Sequence, residues 1–272
     1  MNISVLSAIY EKDNATFVRQ ALDSIFYQTY LPSEMILVKD GALTPEIEKV
    51  LSEYEKKYPI LKIISLPTNQ GPGIARYEGL KHCQNELIAV MDMDDISKPD
   101  RFARQIEVFK KCPDCDVVGA WIDEFVNHTN NLVSTRKVPE TNNEIRLFAK
   151  SRNPINNPVV MFKKSAFLAV GDYESFLIFF EDYYLWVKML LNKSVFYNIQ
   201  DSLLFFRITP DMYKRRGGWK YAIVEFRFQK RLLNLNFISF LTFLKNVLIR
   251  IPVRLIPNRL RAMIYNKLLR KK

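Results

Sequence analysis

No stretch of this 272-residue chain is apolar for long enough to cross a bilayer. The strongly apolar run Phe237–Leu244 is bounded by Asn236 and by Lys245 and Asn246, far short of the ~20 residues that a spanning helix requires. No basic segment precedes the first strand-like run, Ile3–Ile9, so no secretory signal is expected. Cysteine is scarce, with three residues in all. An odd number offers no disulfide framework and points to a reducing, cytosolic location. Cys112-Pro113-Asp114-Cys115 has the spacing of half a zinc site but lacks a second pair, so both are expected to be ordinary thiols at a helix end. Internal repeats and low-complexity linkers are also missing. Together these gaps argue against a spanning helix, a disulfide scaffold and a repeat array.

With 48% hydrophobic residues the chain can bury a full core, enough for one domain and an appendage. Its net charge of +11 is unevenly placed. From Arg207 to Lys272 there are 17 lysines and arginines against two acids, a net charge of +15, which leaves −4 for the rest. A mildly acidic body therefore carries a strongly basic tail.

Apolar runs of strand length alternate with helical patterns through the first half. Ile3–Ile9, Met35–Val38 and Ile60–Ser65 read as strands. Asn14–Gln28 has apolar residues at Phe17, Val18, Ala21, Leu22, Ile25 and Phe26, which is helical spacing with Asn14 as the cap. Glu46–Tyr58, Gly73–Cys83 and Pro99–Lys111 are helical as well, the last with proline in its first turn. Successive βα units of this kind predict an α/β fold, a mostly parallel sheet with helices on both faces. Beyond Val117 the pattern loosens. Short β segments are expected near Val117–Val126 and Leu132–Val138, a helix over Glu144–Lys150, a loop entering a strand over Asn153–Phe162, and a helix over Glu181–Leu191.

The run Ile88-Ala89-Val90-Met91-Asp92-Met93-Asp94-Asp95 is the most informative. Its apolar part reads as a buried strand. Three carboxylates at the carboxyl tip would repel one another unless a cation sat among them. Open α/β sheets bind ligands at that end of their strands. Hard oxygen ligands there suit Mg²⁺ or Mn²⁺ carrying a diphosphate, whereas the plain alternative is a solvated acidic turn. Asp-x-Asp alone does not decide between them.

Context decides. Ser24-Ile25-Phe26-Tyr27-Gln28-Thr29 is followed by Val38-Lys39-Asp40-Gly41, then by Asn69-Gln70-Gly71 with Ala75-Arg76. The acidic strand and Pro99-Asp100-Arg101 come next, then Asn153-Pro154, Val160-Met161-Phe162, and Glu181-Asp182 with Leu185-Trp186. In this order the motifs resemble the family 2 glycosyltransferases of the GT-A fold, in particular the capsular and exopolysaccharide enzymes of the amylovoran type. The resemblance runs from about Ile3 to Gly218. It implies a GT-A domain over 1–212, with a nucleotide-sugar half at 1–115 and an acceptor half at 116–212, and a basic amphipathic helical tail over 213–272. It also implies an inverting, metal-dependent enzyme. The donor would be a nucleotide diphosphate sugar, UDP favoured, and the acceptor a hydroxyl of a lipid-linked glycan in bacterial surface polysaccharide synthesis.

By the same resemblance Asp94 is the metal ligand, Asp92 lies near the ribose and the metal, and Asp95 supports or shares the site. Asp40 matches the acid that hydrogen-bonds the nucleobase, Tyr10 its stacking partner, and Ala8 and Met93 further nucleotide-sugar contacts. Asp182 is the expected general base, with Glu181 orienting it or binding acceptor. The chemistry asks for such groups: a pyrophosphate must be held and neutralised as it leaves, and an acceptor hydroxyl deprotonated. Arg76, behind Gly71-Pro72-Gly73, is placed for diphosphate contact, and Arg101 for the same or for pairing with Asp100 or the acids. Local alternatives stay open. Asp40 could be a turn residue before Gly41, Tyr10 an ordinary half-buried aromatic, Arg76 a surface helix arginine, and the two acids at Glu181 a complement to the helix dipole. Two departures from the family pattern stand out. Lys39 replaces a usual acid and should make the base environment more positive, and Asn157 stands where many relatives carry histidine.

In the tail, Pro252 and Pro257 are expected to break the chain into short amphipathic pieces, with Arg250, Arg254, Arg259 and Lys267 among Val253, Leu260 and Leu268. Basic residues interleaved with apolar ones suit a helix lying on an anionic leaflet at the cytoplasmic membrane face, or a helix packed on the body. Nucleic-acid binding by the tail is not expected, because the body has no nucleic-acid motif and the tail is too apolar. A nucleotidyltransferase would lead with a glycine-rich phosphate loop, and Ile3–Asn14 has no glycine.

Overall fold

The computed structural model describes residues 1–171, 179–209 and 217–256. Strands β1 (Ile3–Ile9), β2 (Glu34–Asp40), β3 (Leu61–Leu66) and β4 (Leu87–Val90) are parallel and lie in the order β3-β2-β1-β4. Both faces of β1 and β2 are covered, which is why they read as nearly unbroken apolar runs. Helices α1 (Ala15–Phe26), α2 (Pro45–Lys57) and α3 (Pro72–His82) connect them. Asn14 caps α1 as expected, its side chain accepting from the amides of Thr16 and Phe17. In α3 a Cβ on Gly79 would meet Val38 at 2.6 Å and Leu6 at 2.7 Å, so glycine is what lets this helix lie close on the sheet.

The sheet continues from β4 through β8 (Met161–Lys163), β6 (Cys115–Phe125) and β9 (Val195–Arg207) to β5 (Ile96–Ser97), and β7 (Leu132–Arg136) pairs with β6. β1 to β4, β6 and β9 run one way, whereas β5, β7 and β8 run against them. The mostly parallel sheet is therefore present. One core layer holds Val18, Ile25, Leu51, Phe102 and Ile106 beneath α1, α2 and α4 (Arg101–Lys111). The other holds Leu80, Ile145 and Trp186 beneath α3, α5 (Asn142–Phe148) and α7 (Glu181–Leu191), and a short α6 (Lys164–Leu168) follows β8. Helices cover both faces.

Several elements differ from expectation. α4 starts at Arg101, because Pro99 is held in the preceding loop, where its carbonyl accepts from the Thr29 amide at 2.8 Å. β5 and β9 were not anticipated. Asn198, Gln200, Asp201 and Ser202 interrupt the apolar pattern of β9, and its pairing with β6 shifts register between Ala120 and Trp121. Cys112 ends α4 and Cys115 opens β6, both as free thiols, and burial pushes Cys115 up to about 12.

The tail is folded onto the body as far as it is described. α8 (Trp219–Asn234) places the Phe228 ring 4.8 Å from Phe180 and 4.7 Å from Tyr183. α9 (Phe240–Leu255) contains Pro252 in its last turns, where the expected break does not occur. Proline removes an amide donor there, but the carbonyl of Pro252 still accepts from the Ile256 amide at 3.2 Å. The expected pieces beyond Pro257, and Lys214, Arg215 and Arg216, lie outside the described residues. Among the described residues no helix is long and apolar enough to cross a membrane.

Candidate active site

Past β4 the chain crosses the carboxyl edge of the sheet with alternating sides. Met91 and Met93 sink into the core, Asp92 and Asp94 are half-buried on the other side, and Asp95 is fully buried. The Met93 side chain therefore leaves only its backbone for a ligand. Carboxylate oxygens of Asp92, Asp94 and Asp95 lie within 4.8 Å of one another. Asp95 Oδ1 accepts from the Arg207 amide at 2.8 Å, while Oδ2 is buried with no hydrogen-bond partner. Burial, then the charges of Asp94 and Asp92, push the Asp95 carboxyl well above the usual carboxylate range. Converging oxygens, an orphaned acceptor and uncompensated negative charge fit a hard divalent cation.

The loop that carries these acids is braced from behind. Arg101 is fully buried and donates to the carbonyls of Val90 at 2.6 Å and Val160 at 3.3 Å, to Ser97 Oγ at 3.0 Å and to Gln105 Oε1 at 3.2 Å. The expected pairing with Asp100 or the acids gives way to this backbone clamp. Burial lowers its guanidinium to about 9, against the opposing pull of Asp92 and Asp95. The motif at Ser24–Thr29 serves the same loop. Ser24 Oγ accepts from the Ser97 amide at 3.0 Å, and Gln28 donates to the Lys98 carbonyl at 2.7 Å and accepts from the Phe102 amide at 3.1 Å. Arg207 closes the front. Its Nε donates to the Asp94 carbonyl at 2.8 Å, and its guanidinium lies 3.9 Å from the Phe17 ring centroid. Counted with the basic tail, Arg207 is in fact the end of β9.

At the carboxyl ends of β1 and β2, Asp40 closes β2 and is buried. Oδ1 accepts from the Gln70 amide at 2.7 Å and Oδ2 from the Gly71 amide at 2.9 Å, so this carboxylate holds the Asn69–Gly71 loop to the sheet. Gly41 turns away with φ 87°, and a Cβ there would stand 2.9 Å from the Asn69 nitrogen. Lys39 is paired with Glu48 on α2, so its charge is compensated and the site is less positive than the substitution suggested. Tyr10 and Ala8 are half-buried at the carboxyl end of β1, and the Tyr10 amide donates to Asp13 at 3.0 Å.

Arg76, on α3, bonds Asp92 across the site. It is thus committed to an acid of the cluster, and its charge also favours the ionised forms of Glu181 and Asp182. That pair opens α7. Asp182 accepts from Asn153 Nδ2 at 3.0 Å and from the Tyr183 amide at 2.7 Å. Burial raises Asp182 despite these donors. Burial and then Asp182 push Glu181 up to about 7, and its Oε2 is buried without a hydrogen-bond partner. Nearby, Asn156 Nδ2 donates to the carbonyls of Ala120 at 2.9 Å and Arg136 at 3.2 Å, tying the Asn-rich loop to the sheet. Asp92, Asp94, Asp95, Arg76, Glu181 and Asp182 form one electrostatic assembly. Arg207 and the role of Asn153 escaped sequence reasoning. An arginine closing an apolar run and an asparagine before proline were the signals available.

The description "Glycosyl transferase family 2" belongs to a family model that matches residues 4–170. A UDP-Gal:alpha-D-GlcNAc-diphosphoundecaprenol beta-1,3-galactosyltransferase of Escherichia coli is 37% identical over 98% of this chain and 96% of its own length. The amylovoran biosynthesis glycosyltransferase AmsE of Erwinia amylovora is 32% identical over 97% of this chain and 98% of its own length. Among solved structures, S. aureus TarS residues 1–349 in complex with UDP-GlcNAc superposes with a TM-score of 0.66 at 18% identity, over 86% of this chain and 67% of that one. This chain spans 40% of the longer TarS structure, at a TM-score of 0.64, 20% identity and 86% of its own length. The mannosyltransferase PcManGT of Pyrobaculum calidifontis, in complex with GDP-Man and Mn²⁺, gives a TM-score of 0.62 at 14% identity, over 98% of this chain and 75% of that one. These likenesses identify the fold as GT-A.

Proposed function

Since the chain belongs to glycosyl transferase family 2 and is a glycosyltransferase of bacterial polysaccharide synthesis, we propose that it moves a hexose from a UDP-sugar, with inversion, to a hydroxyl of a glycan carried on a lipid diphosphate. The donor to test first is UDP-galactose and the acceptor alpha-D-GlcNAc-diphosphoundecaprenol, after the Escherichia coli relative. One observation carries the proposal: Arg76 links the three-acid cluster to the Glu181-Asp182 pair, so groups suited to a leaving diphosphate and to an acceptor proton share one site.

Asp92, Asp94 and Asp95 would hold a divalent ion, Mn²⁺ or Mg²⁺, which supplies Lewis-acid neutralisation of the diphosphate when bound. Asp40 fixes the Asn69–Gly71 loop, and its carboxylate keeps lone pairs for a nucleobase, beside Tyr10 as a stacking surface. Asp182 takes the acceptor proton. Asn153 and the Tyr183 amide orient it, and burial makes its carboxylate a stronger base than that of an exposed aspartate. Glu181 stands beside it with a buried oxygen able to accept an acceptor hydroxyl.

Docking at the cytoplasmic leaflet belongs to the same proposal. Phe240, Leu241, Leu248 and Ile249 are exposed on α9, with Lys220, Arg227, Lys230 and Lys245 exposed on α8 and α9. Apolar side chains rimmed by cations suit anionic lipid.

The test is transfer from UDP-galactose, UDP-glucose, UDP-GlcNAc and dTDP-rhamnose to GlcNAc-diphosphoundecaprenol, with Mn²⁺ or with EDTA, and the anomer read by NMR. A β-linked product formed from one UDP-sugar in Mn²⁺ alone is expected. Near wild-type turnover by Asp182→Asn, with none by Asp94→Asn, would remove the base assignment.

A further inference from the structure

Three consecutive carbonyls beyond the end of α5 each receive a side-chain donor. Tyr183 Oη donates to Ala149 at 2.7 Å, Asn246 Nδ2 to Lys150 at 2.9 Å, and Arg250 to Ser151. Carbonyls at a helix C-terminus lack intrahelical partners and attract such donors. Two of the three donors come from α9, an element remote in sequence.

Those donors are themselves held. Arg250 donates to Glu225 Oε1 at 2.9 Å, and Arg254 donates to Glu225 Oε2 at 2.8 Å. Asn246 Nδ2 also donates to Gln229 Oε1 at 2.9 Å, and Gln229 to Glu225 at 3.3 Å. Glu225 and Gln229 are fully buried. A buried carboxylate with its partners often stabilises a fold no more than apolar side chains of the same size would, but it fixes a geometry. What it fixes is the turn at 149–152, and the next residue is Asn153, whose amide bonds Asp182.

We propose that Arg250 and Asn246 are positioning residues for transfer: by clamping the turn at Lys150–Ser151 they hold the Asn153 amide on Asp182. α8 and α9 are then part of the acceptor site as well as a surface. This rests on Asp182 acting as base.

A double-mutant cycle tests it, with kcat, donor KM and UDP affinity measured for Asn153→Ala, Arg250→Ala and the double variant. Arg250→Ala and Asn246→Ala should each lower kcat by about 10-fold, the scale of one lost orienting hydrogen bond, with donor KM and UDP affinity unchanged. In the double variant Arg250→Ala should cost nothing beyond Asn153→Ala, because contacts acting through one another are not additive. Arg250→Lys should recover part of kcat. If Arg250→Ala does not fold, Asn246→Ala with Asn153→Ala gives the same cycle without unpairing a buried charge. Additive losses, or equal losses in kcat and UDP affinity, would overturn the clamp. Failure of the base assignment is separate, since it shows as turnover by Asp182→Asn whatever the coupling between Asn153 and Arg250.

Discussion

Arg76 joins the two acidic centres of this protein, donating to the Asp92 carboxylate while its charge favours ionised Glu181 and Asp182. A charge-assisted bond of this kind is worth ~1.5–3 kcal/mol, so Arg76→Met should lower kcat/KM by about 10- to 100-fold. Arg76→Lys should lose less, since lysine keeps the charge but not the planar fork. Steady-state kinetics with a UDP-sugar decide it. Wild-type values for Arg76→Met would make the ion pair incidental.

The acidic cluster makes a separate prediction about Mn²⁺. Removing an outer partner of a metal ligand costs ~10–100-fold in affinity, and Asp94→Asn should cost at least as much. Titration calorimetry of Mn²⁺ in the presence of UDP measures the loss, with circular dichroism to show an unchanged fold. Equal Mn²⁺ affinity in the variant would remove Asp94 as a ligand.

Arg101 is expected to matter for stability before it matters for chemistry. Arg101→Ala leaves a cavity and strips a donor from the Val90 and Val160 carbonyls, and should cost about 3 kcal/mol or more. Urea unfolding reads it directly. A variant of full stability would mean that water replaces the guanidinium without penalty.

Glu181 gives a pH signature. Because its folded-state carboxyl is pushed up to about 7 from the ordinary 4.5, the folded chain keeps a proton between those values that the unfolded chain releases. The sign follows: its contribution favours folding at the acid end and is lost as pH rises toward 7. Tm should therefore fall across that window in the wild type and fall less in Glu181→Gln. Parallel Tm profiles would show that Glu181 titrates normally.

How much of this was legible varied with how local the cause is. β1, α1, β2, α2 and β3 stood out because burial on two faces, and helical stripes over them, write a pattern within one segment. The acidic cluster was legible for the same reason, as consecutive residues at one strand tip. Asp40 stood out as the acid before Gly41, but its two backbone donors at Gln70 and Gly71 come from a loop thirty residues on and leave no local trace. Asn246 looked like an interruption of an apolar run and is a buried contact of the α5 turn. Arg207 looked like the first charge of a tail, since only the pairing of β9 with β6 and β5 brings it to Asp94 and Asp95.

The single acid among residues 217–256 is Glu225, and it is spent inside the protein on Arg250 and Arg254. The outer side of α8 and α9 then carries lysine and arginine with no carboxylate, histidine or thiol among them. The attraction of that face for any anionic surface would weaken as salt is added.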